Sequence, residues 1–510
     1  MSIAELLRQE WTVFRRPGRL IALAAAALAV IAVGLLGVAS SQASCPGRCP
    51  AVPVADDGSV VSDHFWFLHR GLGREGSLTV RMTAMTGTIT YPPPNHDQIV
   101  PGLVPWAKSG IIVKDGVRQG STYAALAMTG HHGLRFQYDY RGDVAAGDGD
   151  TSTRFPRWLR LTRSGDTITG AESTDGRQWH TVATTTLHRL PDTVQVGLFA
   201  TSPGDLTLRK VGLGGALEEV RFTQAVGVFD HVAVVGGAAG AWRSESVGEM
   251  NQTDWEKYHN PSGAVVRDDV ITVSGTGDIG PLGEAGRTSV DQTLPGLVIA
   301  LIVVIVVGAR YGVRTARQTT SAGVVTVRAA VVGTATLVTG LVAVGVVLPV
   351  GIAVLRHNGV QDRVPALTAV RVIVGVAMVL ALCAVLAFGL GGWLRRGWTG
   401  VLAALSLVAL PFAVATLPLL PDTVSQWLLR LTPAAGFAVQ QTLVEYPQAS
   451  AHYAPSAGYF PLPGWAGLAV LSAYATMAVW VAAGKRTAIP PTEPRADSRS
   501  DSPGQPAGRR

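Results

Sequence analysis

Six long apolar stretches decide the architecture of this chain. Residues 20–38 form an uninterrupted run of about 19 residues without a charge. A helix of that length, rising 1.5 Å per residue, crosses a hydrocarbon core of about 30 Å. The five further stretches are residues 294–308, 329–355, 368–393, 398–417 and 465–483. We therefore predict a multi-pass membrane protein with six transmembrane helices.

The basic residues around these stretches predict their orientation. Arginines precede the first stretch, follow the second and separate the fourth from the fifth, and Lys485 and Arg486 follow the sixth. Because loops rich in Lys and Arg stay in the cytoplasm, both termini should lie inside the plasma membrane and residues 41–291 outside it. A cleaved signal peptide is the alternative for residues 20–40, but its apolar region would be unusually long.

An apolar stripe precedes the first stretch. Ile3, Leu6, Leu7, Trp11 and Phe14 recur at spacings of three and four, which places them on one face of a helix. Residues 1–19 should therefore form an amphipathic helix on the inner leaflet of the bilayer, with Trp11 and Phe14 at the interface.

Two of the three cysteines lie just beyond the first stretch. Cys45 and Cys49 enclose Pro-Gly-Arg, which suits a tight turn. On an oxidising outer face we expect a disulfide between them, with two free thiols as the alternative. Cys383 lies inside an apolar stretch and should pack as a small hydrophobic residue.

Residues 41–291 differ in composition from the rest of the chain. Short runs of alternating apolar and polar residues, including residues 110–114, 123–128, 134–140 and 194–200, are separated by Gly, Asp, Ser and Thr. Two hairpin turns are predicted at residues 164–166 and 174–177. Many short strands with regular turns indicate an all-β antiparallel sandwich.

Four segments of this region resemble a known family: WAKSGIIVK at 106–114, WLRLTRSGD at 158–166, STDGRQW at 173–179 and VGLFA at 196–200. They look like the concanavalin A-like (laminin G-like) jelly-roll sandwich of the regulation-of-enolase type. The resemblance covers about residues 62–235, with residues 228–234 as the final strand. Such sandwiches serve as glycan binders, spacers and enzyme accessories, so the resemblance implies a fold more than a function.

Several side chains of the outer domain are candidates for chemistry. Trp106, Trp158 and Trp179 could form a sugar platform, but their place in strand-like alternation favours a core role. A carboxylate pair for glycoside hydrolysis could come from Glu172, Asp175, Glu218 and Glu219. His131 and His132 with Asp139 could bind a metal, although a turn explains the histidines better. We predict that the domain has no catalytic, cofactor or metal site.

The membrane region, residues 292–484, gives no internal source of energy. Its apolar stretches contain essentially no Asp, Glu, Lys or His, whereas ion-driven carriers place such groups in the bundle. Arg328 and Arg371 lie near helix ends, where they can reach the interface. Residues 424–444 are interrupted by Arg430 and Pro433 and should form outer or re-entrant helices. Residues 485–510 should be a disordered cytoplasmic tail.

A second resemblance concerns residues 1–40 and about 294–485. The amphipathic leader, the spacing of the six helices, WLLRLTPAAGFAVQQ at 427–441 and GYFPLPGWAGL at 458–468 look like the permease subunit of type-2 ABC exporters. This resemblance implies a cytoplasmic ABC ATPase as partner and a homodimer or a second permease. It also implies a coupling segment at residues 310–328, with Arg310, Arg314, Arg317 and Arg328.

The sequence thus predicts the permease of an ATP-driven exporter with an unidentified substrate. It is not itself an enzyme, because the chain lacks a Walker A loop and ATP must bind to a partner subunit. The alternative is a membrane-anchored sensory protein whose sandwich binds cell-wall glycan or lipid, and a tethered glycoside hydrolase is a third hypothesis. The net charge of +7 does not indicate nucleic-acid binding, because the arginines flank apolar stretches.

Overall fold

The computed structural model describes residues 3–41, 53–91, 98–146, 156–237, 240–249, 254–282, 289–318, 321–358 and 364–484. In chain order it has an N-terminal helical part, a β-sheet domain and a second helical part. Cys45 and Cys49, the predicted disulfide pair, lie outside the described residues, as does the tail 485–510.

Ten α-helices and two 3-10 helices occur in the described part of the chain. The α-helices are α1 (Ile3–Phe14), α2 (Pro17–Ser40), α3 (Asp254–His259), α4 (Ser289–Thr293), α5 (Leu297–Arg317), α6 (Ala322–His357), α7 (Ala366–Leu394), α8 (Gly397–Thr416), α9 (Asp422–Leu431) and α10 (Gly464–Gly484). The 3-10 helices span Pro433–Gln440 and Pro455–Ala457. Six helices are long and apolar enough to cross a membrane, as predicted: α2, α5, α6, α7, α8 and α10.

The break between α1 and α2 follows from a proline. Pro17 occupies the first turn of α2, where its missing N–H costs nothing, and Arg16 before it is extended with ψ of 137°. Phe14 at the end of α1 is fully buried, whereas Trp11 is 41% exposed. Within the predicted apolar stripe, Phe14 therefore packs into the bundle, whereas Trp11 faces the outside of the molecule.

Helices α5 and α6 extend further than the sequence indicates. Helix α5 continues to Arg317 and α6 begins at Ala322, so most of the predicted coupling segment 310–328 is helical. The apolar stretches locate the spans but not their ends, because the arginine-bearing turns beyond them contain no proline that would stop a helix.

Small residues bring the bundle helices together. A Cβ on Gly308 or Gly312 of α5 would lie 2.3 Å or 2.0 Å from a backbone carbonyl oxygen of α7. Gly391 of α7 faces α5 in the same way, with a Cβ 2.3 Å from the carbonyl oxygen of Ala309. Close backbone approach at glycine drives helix association where lipid removes the hydrophobic driving force.

The described residues of the β-domain form seventeen strands, which join in antiparallel pairs into a nearly closed sheet structure. The strands are β1 (Val61–Asp63), β2 (Phe65–Thr90), β3 (Ile99–Pro101), β4 (Lys108–Lys114), β5 (Tyr123–Thr129), β6 (Leu134–Tyr138), β7 (Gly142–Ala145), β8 (Arg157–Ser164), β9 (Thr167–Ser173), β10 (His180–Thr186), β11 (Val194–Thr201), β12 (Asp205–Val211), β13 (Gly215–Gly237), β14 (Arg243–Val247), β15 (Gly263–Arg267), β16 (Val270–Gly275) and β17 (Ile279–Pro281). Fifteen of them form one sheet, with the order β10-β9-β8-β2-β11-β4-β5-β6-β7 along its main path.

Strand β2 connects the two halves of this sheet. Its first part pairs with β11 from Trp66 to Leu72, and its later part pairs with β8 from Glu75 to Met82. Glycines at 71, 73 and 76 lie where the partner changes, and glycine permits the bend that such a change requires. The resulting main core includes Leu78, Leu126 and Leu161, all fully buried.

The paired strands extend beyond the predicted core of residues 62–235. Strands β14 to β17 follow it, and β17 pairs with β1 through Val61 and Pro281. They help to cover the other face of the β2–β11–β4 layer and enclose a second core that includes Phe65, Ile112 and Phe199. The β2–β11–β4 layer is therefore buried on both faces, whereas each sheet of a two-layer sandwich is buried on one face only.

Two lysines of β4 point into this second core. Lys114 Nζ donates to Asp63 Oδ2 at 2.8 Å, and both side chains are fully buried. Lys108 Nζ donates to Asp278 Oδ1 at 2.9 Å. Burial lowers the pKa of Lys114, against the opposing effect of the Asp63 carboxylate. These ion pairs join β4 to the first and last parts of the domain.

Candidate functional site

A cavity of the bundle lies beside the 3-10 helix Pro433–Gln440, which follows α9. It has a volume of about 560 Å³ and an open side. The walls come from α7, the 3-10 helix Pro433–Gln440, residues 459–463 and the start of α10. Most wall residues are apolar, among them Met378, Val439, Phe460 and Leu468. We call this cavity the outer groove, since it lies on the side of the bundle that faces the β-domain.

Close backbone packing positions the walls of the outer groove. A Cβ on Gly467 of α10 would lie 2.0 Å from the carbonyl oxygen of Ala435, and a Cβ on Gly375 of α7 would lie 2.7 Å from Val439 Cβ. Gln441 then fixes the end of the 3-10 helix, because its side chain accepts a hydrogen bond from Phe460 N at 2.7 Å and donates to Phe460 O at 3.2 Å. The predicted outer or re-entrant segment 424–444 thus contains most of α9, which packs on α8, and the 3-10 helix, which is held between α7 and α10.

The mouth of the outer groove is polar. Arg371 donates to the carbonyl oxygen of Gln441. Tyr459 donates its hydroxyl to Glu445 Oε2 at 3.2 Å. Burial raises the pKa of Tyr459 and the Glu445 carboxylate raises it further, so the phenol stays a neutral donor at neutral pH. An apolar groove with a charged mouth suits an amphipathic molecule.

The β-domain contacts the bundle close to this groove. At the tip of the β12–β13 hairpin, the backbone N–H groups of Leu213 and Gly215 donate to the carbonyl oxygen of Leu419, at 2.9 Å and 3.2 Å. His452 Nε2 lies 2.7 Å from Asp422 Oδ2, and His452 Nδ1 lies 3.2 Å from Glu218 Oε1. The hairpin is therefore joined to the loop after α8 and to the start of α9.

The opposite end of the bundle is rich in arginine, and there α1 is anchored by an ion pair. Arg328 of α6 donates from Nε to Glu10 Oε2 at 2.7 Å and from Nη2 to Glu10 Oε1 at 3.1 Å. Arg328 Nη1 also donates to Gln318 Oε1 at 2.6 Å. Both charged side chains are buried, being 9% and 7% exposed. The pair fixes α1 against the first two turns of α6.

The structure brings three of the four predicted coupling arginines to one cavity and places Arg310 elsewhere. Arg310 lies over the ring of Trp398 at 5.3 Å, whereas Arg314 and Arg317 project from the last two turns of α5. Arg328 is buried in the pair with Glu10. Three of the four, Arg314, Arg317 and Arg328, line a common cavity.

The three candidate aromatic residues of the outer domain do not form one platform. Trp106 is 6% exposed and stacks on His132 with ring centroids 4.0 Å apart. Trp158 contacts His231 edge to face, and Trp179 lies 3.7 Å beneath the guanidinium carbon of Arg160. Trp106 is therefore buried, whereas Trp158 and Trp179 are half-buried.

The other candidate groups have structural partners. Glu172 pairs with Arg157 at 3.1 Å, and Asp175 accepts backbone hydrogen bonds within its own turn. Glu219 pairs with Arg209. His131 and His132 lie in the bend between β5 and β6, and the described residues contain no group of three His, Cys, Asp or Glu that could hold a metal ion.

Comparisons with known proteins add little to this geometry. No protein-family model and no curated protein matches the chain. Among solved structures, a functionally unknown protein from Saccharomyces cerevisiae is 14% identical to this chain with a TM-score of 0.20. The match covers 39% of this chain and 94% of the yeast protein. Scytalido-glutamic peptidase is 8% identical with a TM-score of 0.27, and the match covers 42% of this chain and 99% of the peptidase. SCP-B, a peptidase of the Eqolisin family, is 8% identical with a TM-score of 0.24, and the match covers 42% of this chain and 98% of SCP-B. TM-scores this low support neither a shared fold nor a shared activity.

Proposed function

We propose that this chain is the permease subunit of an ATP-driven exporter of the type-2 ABC class. The proposal places the arginine-rich end in the cytoplasm, the β-domain outside the plasma membrane and a separate ATPase against the inner face. The observation that carries it is the outer groove, an apolar cavity with a polar mouth in a bundle of six helices. The groove suits the apolar part of an amphipathic substrate on its way out of the membrane.

The energy source is inferred from the charges of the spans. Within the six described spanning helices, every Asp, Glu, Lys, Arg or His lies within about two turns of a helix end. A proton- or sodium-coupled carrier needs ionisable groups along its pathway. The whole sequence also lacks a Walker A loop. A companion ATPase is the energy source that remains.

The position of α1 supports a role in transmitting ATPase movements. Helix α1 is joined to α6 by the Glu10–Arg328 pair and to α5 by Phe14, whose ring meets Tyr311 at 5.3 Å. An ATPase that pushes on the short turn between α5 and α6 would therefore move α1 and two spans together. On the other side, the β12–β13 hairpin would respond to movement at the end of α8.

The ATPase contact can be tested on the purified complex. Residues 319–321 are replaced by a glycine-serine segment of equal length. The tagged chain is then purified from its native host, and co-purifying proteins are analysed for an ATPase with a Walker A loop. We expect loss of the ATPase from this variant and its retention when Arg395 and Arg396, in another turn at the same end, are replaced by serine. Recovery of an intact complex from the first variant would contradict the coupling role.

Transport itself tests the groove and the energy source. Met378→Trp should fill the outer groove and reduce ATP-driven export, whereas Val338→Trp on an exposed position of α6 should leave export unchanged. Vesicles that contain only this chain should not move solute when given a pH or sodium gradient. Gradient-driven transport by the chain alone would refute the proposal.

A further inference from the structure

A second cavity lies at the arginine-rich end of the bundle, between α1, α2, α5 and α6. Its volume is about 250 Å³. Its lining includes Arg16, Arg19, Arg314, Arg317 and Arg328, together with Tyr311. We call this space the arginine cavity. Five guanidinium groups from four parts of the chain border it.

The arginine cavity holds far more positive than negative charge. Arg328 is paired with Glu10, but the described residues provide no carboxylate within salt-bridge distance of Arg16, Arg314 or Arg317. Arg19 is repelled by the neighbouring charges of Arg314 and Arg16. Bringing like charges together is unfavourable unless a counter-ion neutralises them. The sequence alone would scatter these arginines along the membrane surface, whereas the fold directs them to one space.

The cavity is built rather than loosely assembled. Arg19 donates to the carbonyl oxygens of Val13 and Phe14 at the end of α1, both at 3.3 Å, and its guanidinium carbon lies 4.4 Å from the centre of the Tyr311 ring. Arg328 is held by Glu10 and Gln318. These contacts position two guanidinium groups before any ligand arrives, which lowers the entropic cost of binding.

A buried hydroxyl is an independent observation that favours a hydrogen-bond acceptor in this cavity. Tyr311 lines the cavity and is 2% exposed, yet its hydroxyl has no hydrogen-bond partner within the described chain. An unpaired buried hydroxyl is costly and is rare in folded proteins. An anion in the cavity would accept its hydrogen bond as well as those of the arginines.

We propose that the arginine cavity is a binding site for a phosphoryl anion, either the headgroup of an anionic lipid or free phosphate. Guanidinium groups match phosphate oxygens bidentately, and these charge-assisted hydrogen bonds are about twice as strong as neutral ones. The helix ends around the cavity would place it at the level of lipid headgroups, where anionic lipids attract basic residues. The proposal does not depend on the export role.

The test uses the purified full-length chain in detergent and three probes. These are inorganic phosphate, phosphatidylglycerol, and a diacylglycerol with the same acyl chains but no phosphate. Titration calorimetry measures each dissociation constant at low and high salt. Binding of both phosphate-bearing probes identifies the phosphoryl group as sufficient, and binding of phosphatidylglycerol alone identifies a lipid headgroup site. Either result supports the proposal.

Matched variants show whether the cavity is responsible. Replacing Arg16, Arg314 and Arg317 with glutamine should weaken binding about a hundredfold or more. Replacing Arg15, Arg395 and Arg396, which do not line the cavity, removes the same charge from the same end and should change binding by about twofold at most. Arg19 and Arg328 stay unchanged so that α1 remains anchored.

A single-atom change keeps the test valid if the triple variant folds poorly. Tyr311→Phe removes only the hydroxyl and should weaken binding about tenfold, as expected for one hydrogen bond to a charged group. The proposal is overturned if neither phosphate-bearing probe binds better than diacylglycerol. It is also overturned if the control triple variant loses as much affinity as the cavity variant, because binding would then follow overall charge.

Discussion

The buried pair between Glu10 and Arg328 should dominate the attachment of α1. Replacing Glu10 with glutamine leaves the Arg328 guanidinium buried, with only the Gln318 side chain as a partner. Removing one partner of a buried ion pair costs about 3–5 kcal/mol, because the remaining charge has lost both water and its counter-charge. An exposed pair would contribute about 0–1 kcal/mol. These two free-energy costs differ enough for unfolding measurements to distinguish a buried pair from an exposed one.

A double-mutant cycle measures the pair itself. The free energy of unfolding in mixed micelles is compared for the parent chain, Glu10→Gln, Arg328→Met and the double variant. We expect each single change to cost about 3–5 kcal/mol and the double change to cost clearly less than their sum, with a coupling energy of about 2–3 kcal/mol. Arg8→Gln, an exposed change on the same helix, serves as the control.

The reasoning fails if the two single changes each cost less than about 1 kcal/mol, since the pair would then behave as a solvated one. Additive effects would also refute it, because they would show that the two side chains do not depend on each other.

Three further predictions concern packing and charge. Gly312→Val should strongly lower the unfolding temperature, because its Cβ would lie 2.0 Å from a carbonyl oxygen of α7, whereas Gly323→Val, with open space around its Cβ, should change it little. Lys114→Met should cost about 3–5 kcal/mol of β-domain stability, measured by urea unfolding, because a fully buried carboxylate loses its counter-charge. Hydrogen bonds from Arg81 lower the pKa of Asp230 below its unfolded value. The ionised Asp230 therefore stabilises the folded β-domain above about pH 4, and this contribution is lost as the pH falls through the folded pKa. Arg81→Gln should remove this part of the acid sensitivity, measured as the free energy of unfolding at several pH values.

Features that depend on local patterns could be predicted from the sequence. The six spans follow from apolar length, and the helix ending at Phe14 follows from a stripe with helical spacing. The hairpin of β8 and β9 follows from alternation around Gly165, which has a φ of +60° that suits its turn. In each case neighbouring residues carry the information.

Features that depend on distant contacts could not be predicted. Strand β2 was not among the predicted strands, and its glycines are explained only by the change of partner from β11 to β8. The lysines at the two ends of β4 give no local signal of burial, because their carboxylate partners, Asp63 and Asp278, lie far away in the sequence. Likewise, no local signal brings His452 between Glu218 and Asp422.

The outer groove and the arginine cavity were missed for the same reason. Each is formed by several elements, and their lining residues look individually like ordinary span or flank residues. The two motifs at 427–441 and 458–468 did include part of the groove wall, since Val439 and Phe460 lie within them. Their shared position around one space appears only in three dimensions.

The contact between the β12–β13 hairpin and Leu419 consists of main-chain groups, so it places few demands on the side chains at these positions. A single carbonyl oxygen receives both N–H donors, so almost any side chain can occupy position 213 or 419 without breaking the linkage. The glycines of the hairpin tip are less replaceable. A Cβ on Gly215 would lie 2.1 Å from the carbonyl oxygen of Pro418, and Gly212 and Gly214 have φ values of +54° and +105°, which favour glycine. Related chains could therefore vary at positions 213 and 419 and still keep the β-domain attached to the loop after α8, provided that they keep these glycines.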